Sequence, residues 1–185
     1  QLLETTDAME VVNDILIPAL DSAGKLFEQG KIFLPQLIQT ASVAQAAFEV
    51  IKTTLIERNA APVSRGEIVL ATVKGDIHDI GKNIVRVLLE NYGYTVLDLG
   101  RDVPCQLVAD TAKEHGVKLV GLSALMTTTL GAMEETIQLV KASCPDCKIV
   151  VGGAVLTADY AEKIGADYYA KDAMETVAVA KEVVG

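Results

Sequence analysis

GEIVLATVKGDIHDIGKNIVRVLLENYGYTVLDLG, residues 66–100, sets an apolar run, a polar loop, a helical pattern and a second apolar run in a row. Ile68–Val73 and Thr95–Leu99 read as strands, and 81–92 between them as a helix with apolar residues at helical spacing. Both strands are continuously apolar rather than alternating, the pattern of parallel strands covered on both faces. A strand, a helix and a second parallel strand make one βαβ unit, and the alternation continues downstream. Leu119–Ser123, Ile149–Val151 and Tyr168–Ala170 read as further strands, with helical patterns over 104–115, 128–142, 157–164 and 173–183.

Five such units predict an α/β domain over 61–185 with a doubly wound, five-stranded parallel sheet of flavodoxin/Rossmann-like type, in flavodoxin-like strand order. Upstream, residues 7–58 contain no good strand. Val11, Val12, Ile15, Leu16, Ala19 and Leu20 recur at helical spacing, with a kink or break expected at Pro18. A short helix from Gly24 to Gln29 is expected to stop at Gly30. Leu37, Ile38, Ala41, Ala44, Phe48, Ile51 and Leu55 mark one face of a long helix from Leu34 to Arg58. The expectation is a helical cap resembling a four-helix bundle over 1–60, joined to the sheet by a linker at 59–66. The chain opens at Gln1, without an initiator Met and inside a helical pattern, which is expected of one module of a larger protein.

With 185 residues, half of them apolar, the chain can bury one good core and a small helical companion. Its net charge of −9 and its lack of a basic cluster interleaved with aromatics argue against a nucleic-acid partner. No apolar run reaches the roughly 20 residues of a membrane-spanning helix, and no signal-peptide pattern opens the chain. Three cysteines make no disulfide framework, so a reducing cytoplasm is the expected setting.

In open α/β sheets ligands bind beyond the carboxyl ends of the strands, where strand order reverses. The loops expected there carry Gly75, Asp76, Ile77, His78 and Asp79, then Ser123, Leu125 and Thr127–Thr129, then Gly152 and Gly153. His78 is the residue to explain. The spacing of Gly75 and Gly81, with Asn83 after Lys82, does not make a phosphate-binding P-loop, and two aspartates repel a phosphate. A zinc site needs three or four ligands, and no second histidine falls on this edge. No Gly-x-Ser-x-Gly elbow offers a nucleophile. Two readings stay open on the residues alone. His78 is either a polar loop residue, or an imidazole oriented by a neighbouring aspartate for a metal that brings its other ligands with it.

Asp76-Ile-His78-Asp-Ile-Gly81, followed by Ser123-Ala-Leu125 and Gly152-Gly153, resembles the D-x-H-x-x-G, S-x-L, G-G signature of cobalamin-binding domains. The segment Leu26–Gln36 is similar to the helical cap of the corrinoid methyltransferase branch, so the resemblance covers nearly the whole chain. It implies a bound cobalamin that alternates between methylcobalamin and cob(I)alamin. His78 then replaces the cofactor's benzimidazole as lower axial cobalt ligand, and Asp76 bonds the imidazole. Thr129 stands where the methionine-synthase branch has a relay hydroxyl. Ser123 meets the displaced benzimidazole, Thr127 lies near the tail or corrin edge, and Gly152, Gly153 and Ala173 line the nucleotide tail. Phe27 and Leu34 match the cap residues that shield the methyl group, with Pro18, Gly24 and 59–66 as hinge elements. Asp79 is left with the capping of the helix that follows.

The cap and the segment Ala166-Asp-Tyr-Tyr-Ala-Lys-Asp-Ala173 are most similar to cobalamin-dependent methionine synthase, which implies methyltetrahydrofolate as donor and homocysteine as acceptor. The alternative is a free-standing corrinoid protein for methanol, methylamine or aryl-ether demethylation. A cobalamin-dependent sensor is the other class. Either methyl-transfer reading implies donor and acceptor methyltransferase domains or subunits, and admits a reductive reactivation partner. Cys144-Pro-Asp-Cys147 invites a redox or zinc reading with His115, but falls on the opposite edge of the sheet. Cys105 reads as a small, partly buried helix-start residue.

Overall fold

The computed structural model describes residue 6, residues 10–57 and residues 64–185. Most of the linker read at 59–66, the boundary between 60 and 61 and the side chain of Leu55 lie outside the described residues. The chain divides into two compact units, Gln1–Ser64 with Glu90–Gly93, and Arg65–Leu89 with Tyr94–Gly185.

In the first unit, a π-helical stretch Val11–Leu16 runs without a break into α1, Ile17–Glu28. The expected break at Pro18 is therefore absent. The Ile17 N–H still donates back to the Val12 carbonyl in π register, and α winding begins at Ile17, one residue before the proline. The donor that Pro18 lacks falls at this seam rather than inside a regular helix, where it would be costly. The helix expected over 24–29 is the end of α1, which closes with a Schellman pair: Gly30 N–H to the Phe27 carbonyl and Lys31 N–H to that of Leu26. The second long helix, α2, spans Leu34–Glu57. Val11, Val12 and Ile51 are buried together, with Leu16, Ile17 and Phe48 against them. Among the described residues the helical cap shows two continuous helical runs.

In the second unit the elements alternate: β1 Glu67–Thr72, α3 Ile80–Asn91, β2 Thr95–Asp98, α4 Cys105–His115, β3 Leu119–Ser123, α5 Leu130–Ser143, β4 Lys148–Gly152, α6 Ala158–Lys163, β5 Tyr168–Tyr169 and α7 Ala173–Val183. A single turn of 3-10 helix, Thr127–Thr129, precedes α5. All strands pair in parallel, in the order β2-β1-β3-β4-β5, which is the flavodoxin-like order. Val69, Ala71, Val120, Leu122, Ile149 and Val151 are fully or nearly fully buried and form the sheet's share of a core completed by Val108, Ala109, Ala112, Met133, Ile137 and Val140 of α4 and α5. Burial on both faces is why these strands read as unbroken apolar runs.

The Gly152-Gly153 pair at the end of β4 answers first to the chain's own backbone. A Cβ on Gly153 would stand 1.8 Å from the Ala124 carbonyl oxygen, and one on Gly152 would stand 3.0 Å from that of Ala170. Gly153 also has φ +139, which side chains avoid. Gly153→Ala is expected to cost about 3 kcal/mol, read as a lower urea midpoint at unchanged m-value. A variant as stable as the wild type would show that the loops after β3 and β4 separate freely.

Candidate functional site

Strand order reverses between β1 and β3, and the crevice beyond their carboxyl ends is where an open α/β sheet binds its ligand. The register pairs Thr72, the last residue of β1, with Ser123, the last of β3. Their hydroxyls lie 2.8 Å apart, so Ser123 is held in place by a buried threonine that sequence reasoning missed.

Just past β1, the Asp76 carboxylate is completely buried and accepts five hydrogen bonds. One oxygen takes the His78 backbone N–H at 3.0 Å and the His78 ring Nδ1 at 2.8 Å. The other takes the backbone N–H groups of Leu125 at 2.7 Å and Met126 at 3.2 Å, and the Thr129 hydroxyl at 3.1 Å. Burial alone pushes a carboxylate upward. Here the Leu125 and His78 amides, the imidazole and the Thr129 hydroxyl outweigh it and hold Asp76 well below the usual carboxylate range. An ionised carboxylate only accepts, so Nδ1 carries the hydrogen and Nε2 presents its lone pair.

His78 itself is 45% exposed. Large apolar side chains on these loops and at the start of α3 are also open to solvent: Ile77 at 59%, Ile80 at 78% and Leu125 at 43%. Among the described residues no group of three His, Cys, Asp or Glu side chains could hold a metal ion. One oriented nitrogen on an apolar ledge fits a metal whose other positions are already filled, inside a large, largely apolar ring.

The donors from β3 are reinforced from β2. Gly75 N–H donates to the Asp102 carboxylate at 2.7 Å, and Asp102 N–H donates to the Asp76 carbonyl at 2.9 Å. Behind the loop, the buried Lys82 ammonium lies 2.5 Å from Asp98 and 3.0 Å from the Asn83 side-chain oxygen. Asp98 also accepts from Gly100 N–H and Arg86, and Lys82 first, then these two, keep it ionised against its burial. The first turn of α3 is thereby fixed to the end of β2. Asp79 stands immediately before α3, and its carbonyl accepts the Asn83 N–H at 2.8 Å.

The structure therefore brings Gly75, Asp76, Ile77, His78, Asp79, Gly81, Ser123, Leu125 and Thr129 to the ends of β1 and β3. Thr129 reaches Asp76, but its single hydrogen also faces the Met126 carbonyl at 2.8 Å, so the contact to Asp76 is shared. Thr127 begins the 3-10 turn and is exposed. Gly152 is the register partner of Ser123, and Ala173 opens α7 after β5. Phe27 and Leu34 belong to the helical unit, in α1 and at the start of α2. Pro18 and Gly24 both lie inside α1 and make no break there.

Among the described residues the amino edge carries no second centre. His115 pairs with Glu67 at 3.0 Å, and burial beside Cys144 pushes the Cys147 thiol up to about 12, far from a reactive thiolate. Cys105 is buried against the Ala132 carbonyl.

Comparison with known proteins identifies the family of both parts of the chain. Residues 66–178 match a family model described as B12 binding domain, and residues 1–52 match a second model of the same description. A dimethylamine corrinoid protein of Methanosarcina acetivorans is 43% identical over 180 residues, 96% of this chain and 84% of the relative. A cobalamin-binding protein from Desulfitobacterium hafniense superposes with a TM-score of 0.84 at 34% identity, over 100% of this chain and 88% of that one. A methanol:cobalamin methyltransferase complex from Methanosarcina barkeri contains a chain with a TM-score of 0.85 at 29% identity, over 100% of this chain and 70% of that one.

These relatives lend no support to the methionine-synthase branch and favour the corrinoid-protein alternative. Residues of segment 166–173, part of the basis for the former expectation, have structural duties in this chain. Asp167 accepts the Ile149 N–H, Ala170 lies against Gly152, and Asp172 caps α7.

Asp76→Asn places an amide NH2 against donors whichever way it turns. It is expected to destabilise the protein by about 2–4 kcal/mol near neutral pH, measured by urea unfolding without ligand. Because folding holds Asp76 below its ordinary value of 3.8, its contribution is complete above that value and lost as pH falls through the depressed one. The stability gap between wild type and variant is constant above about pH 5 and narrows in acid. A gap that widens in acid contradicts a depressed carboxylate.

Proposed function

The chain belongs to the B12-binding domain family, and from that membership we propose that it is the methyl-carrying corrinoid protein of a methylamine methyltransferase system, with His78 as lower axial ligand to cobalt. The observation that carries the ligand assignment is the buried Asp76 carboxylate, which fixes the Nδ1–H form and turns Nε2 outward as a lone donor. The methylamine assignment rests on the dimethylamine corrinoid relative, and the methanol:cobalamin complex favours the same kind of shuttle.

When bound, cobalamin supplies a cobalt that accepts a methyl group from one partner and yields it to another. The protein's part is to hold and tune that centre. Asp76 keeps the imidazole oriented and strengthens its basicity through the Nδ1–H bond. The Leu125 and His78 amides hold Asp76 ionised, with the imidazole and part of the Thr129 hydroxyl. Were His78 released from a metal, its outward Nε2 would be free to accept a proton while Nδ1–H stays on the buried carboxylate. Ile77, Ile80 and Leu125 give the ring an apolar floor that excludes water. Ser123, steadied by Thr72, would offer a hydroxyl to the cofactor, and Gly152, Gly153, Thr127 and Ala173 would help to hold its nucleotide portion. Phe27 and Leu34 are assigned to the methyl face. The partners are a donor methyltransferase subunit, an acceptor methyltransferase subunit and a reductive reactivator.

Hydroxocobalamin and methylcobalamin titrations read by visible spectroscopy test the ligand. The wild type is expected to form a tight complex with the spectrum of a nitrogen-ligated cobalt. His78→Ala is expected to bind about 10–100-fold more weakly and to give the spectrum of a cobalt without a lower nitrogen. The same spectrum for both proteins rejects His78 as ligand. With the cofactor reduced, a dimethylamine methyltransferase subunit should methylate it, and methylation from methyltetrahydrofolate instead would overturn the methylamine assignment.

A further inference from the structure

Thr72 bonds across to the segment that follows β2 with both of its backbone groups. Its N–H donates to the Gly100 carbonyl at 2.9 Å, and its carbonyl accepts the Val103 N–H at 3.1 Å. Val73 then bridges to Val103, so pairing resumes beyond the interruption. Arg101 and Asp102 are left over, pushed out of the ladder at the mouth of the site. An outpocketing of this kind re-aims a side chain.

Asp102 has φ +53, among the described residues the only positive value at a residue other than glycine. A side chain in left-handed backbone is costly, and aspartate is among the few that tolerate it. Such outliers persist where the surroundings impose them, and here both polar ends of Asp102 are engaged. Its carboxylate takes the Gly75 N–H at 2.7 Å, and its own N–H holds the Asp76 carbonyl at 2.9 Å.

The Asp76 side chain, by contrast, is held from the β3 side, through Leu125, Met126 and Thr129. Without the grip from β2, the loop is free to pivot about Gly75, and the carboxylate turns relative to the imidazole it orients.

We propose that Asp102 is a positioning residue for the axial imidazole, acting through the backbone of the His78 loop from the strand on the far side of β1. This rests on His78 being the ligand. It adds that the geometry of the ligand is set by a residue in another loop, which fixes the Asp76 backbone while β3 fixes its side chain.

The test compares Asp102→Ala, Asp102→Gly and Asp102→Asn with the wild type. The readouts are the His78 ring nitrogen resonances in the ligand-free protein, the affinity for hydroxocobalamin and thermal unfolding. The wild type is expected to show the Nδ1–H form of neutral His78. Asp102→Ala and Asp102→Gly should populate the Nε2–H form and bind hydroxocobalamin about tenfold more weakly. Asp102→Asn, which keeps an acceptor and tolerates the backbone angle, should restore both to within about threefold. If Asp102→Gly matches the wild type in tautomer and affinity, the position serves backbone conformation alone and the proposal fails. It fails equally if Asp102→Ala changes thermal stability but neither the ring resonances nor the affinity. If the wild type binds no hydroxocobalamin while the tautomer still moves in Asp102→Ala, the positioning role stands and the cobalamin assignment is what falls.

Discussion

Everything at the carboxyl edge of the sheet depends on one buried negative charge. Asp76 has no contact with water and keeps its charge because five donors converge on it, three of them backbone N–H groups. Backbone donors cost no side-chain entropy to place once the loops are folded, so the carboxylate is solvated by the fold itself. Its one link outward is His78. The exposed imidazole therefore inherits a fixed tautomer and direction from a group that solvent does not reach.

That arrangement explains why the site sits between β1 and β3. Only there do loops from two neighbouring strands leave toward opposite faces of the sheet, opening a crevice. The loop after β1 carries the aspartate and histidine, and the loop after β3 carries the amides and the Thr129 hydroxyl. The end of β2 adds a second support through Asp102 and through the buried Lys82–Asp98 pair. Removing one partner of a buried pair leaves an uncompensated charge, so the first turn of α3 has little freedom to drift from β2. The histidine loop gains in this way the rigidity of three strands.

The parallel sheet was legible because strands buried on both faces must be apolar throughout, and β3 was read to the residue. The Asp76-x-His78 spacing, Ser123 and Thr129 were legible as side chains with chemistry. What could not be read was the work of the backbone. The Leu125 and His78 amides that keep Asp76 ionised leave no mark in the side-chain pattern. Thr72 looked like the end of an apolar strand until register set its hydroxyl against Ser123. Asp102 carried a faint signal, an aspartate two residues after a glycine at a strand end, but its left-handed backbone emerges only from the interrupted pairing. Pro18 misled because a change of helical winding absorbs its missing donor. The Gly152-Gly153 pair was noticed for its ligand, while its steric reason lies in the carbonyls of Ala170 and Ala124. The methionine-synthase expectation is left unsupported, and part of its basis, segment 166–173, consists of residues that hold α7 and β5 in place.

The chain has two histidines, and the second, His115, is on the opposite edge in contact with Glu67. That makes isotope labelling decisive. Protein grown with 15N-histidine, loaded with unlabelled cobalamin and reduced to the Co(II) state, should show in its electron paramagnetic resonance spectrum the doublet superhyperfine splitting of one axial 15N nucleus. A triplet from 14N, unchanged by the labelling, would mean that the cofactor's own benzimidazole remains on the metal. That result would contradict the role of His78 as axial ligand and of the buried aspartate that orients it.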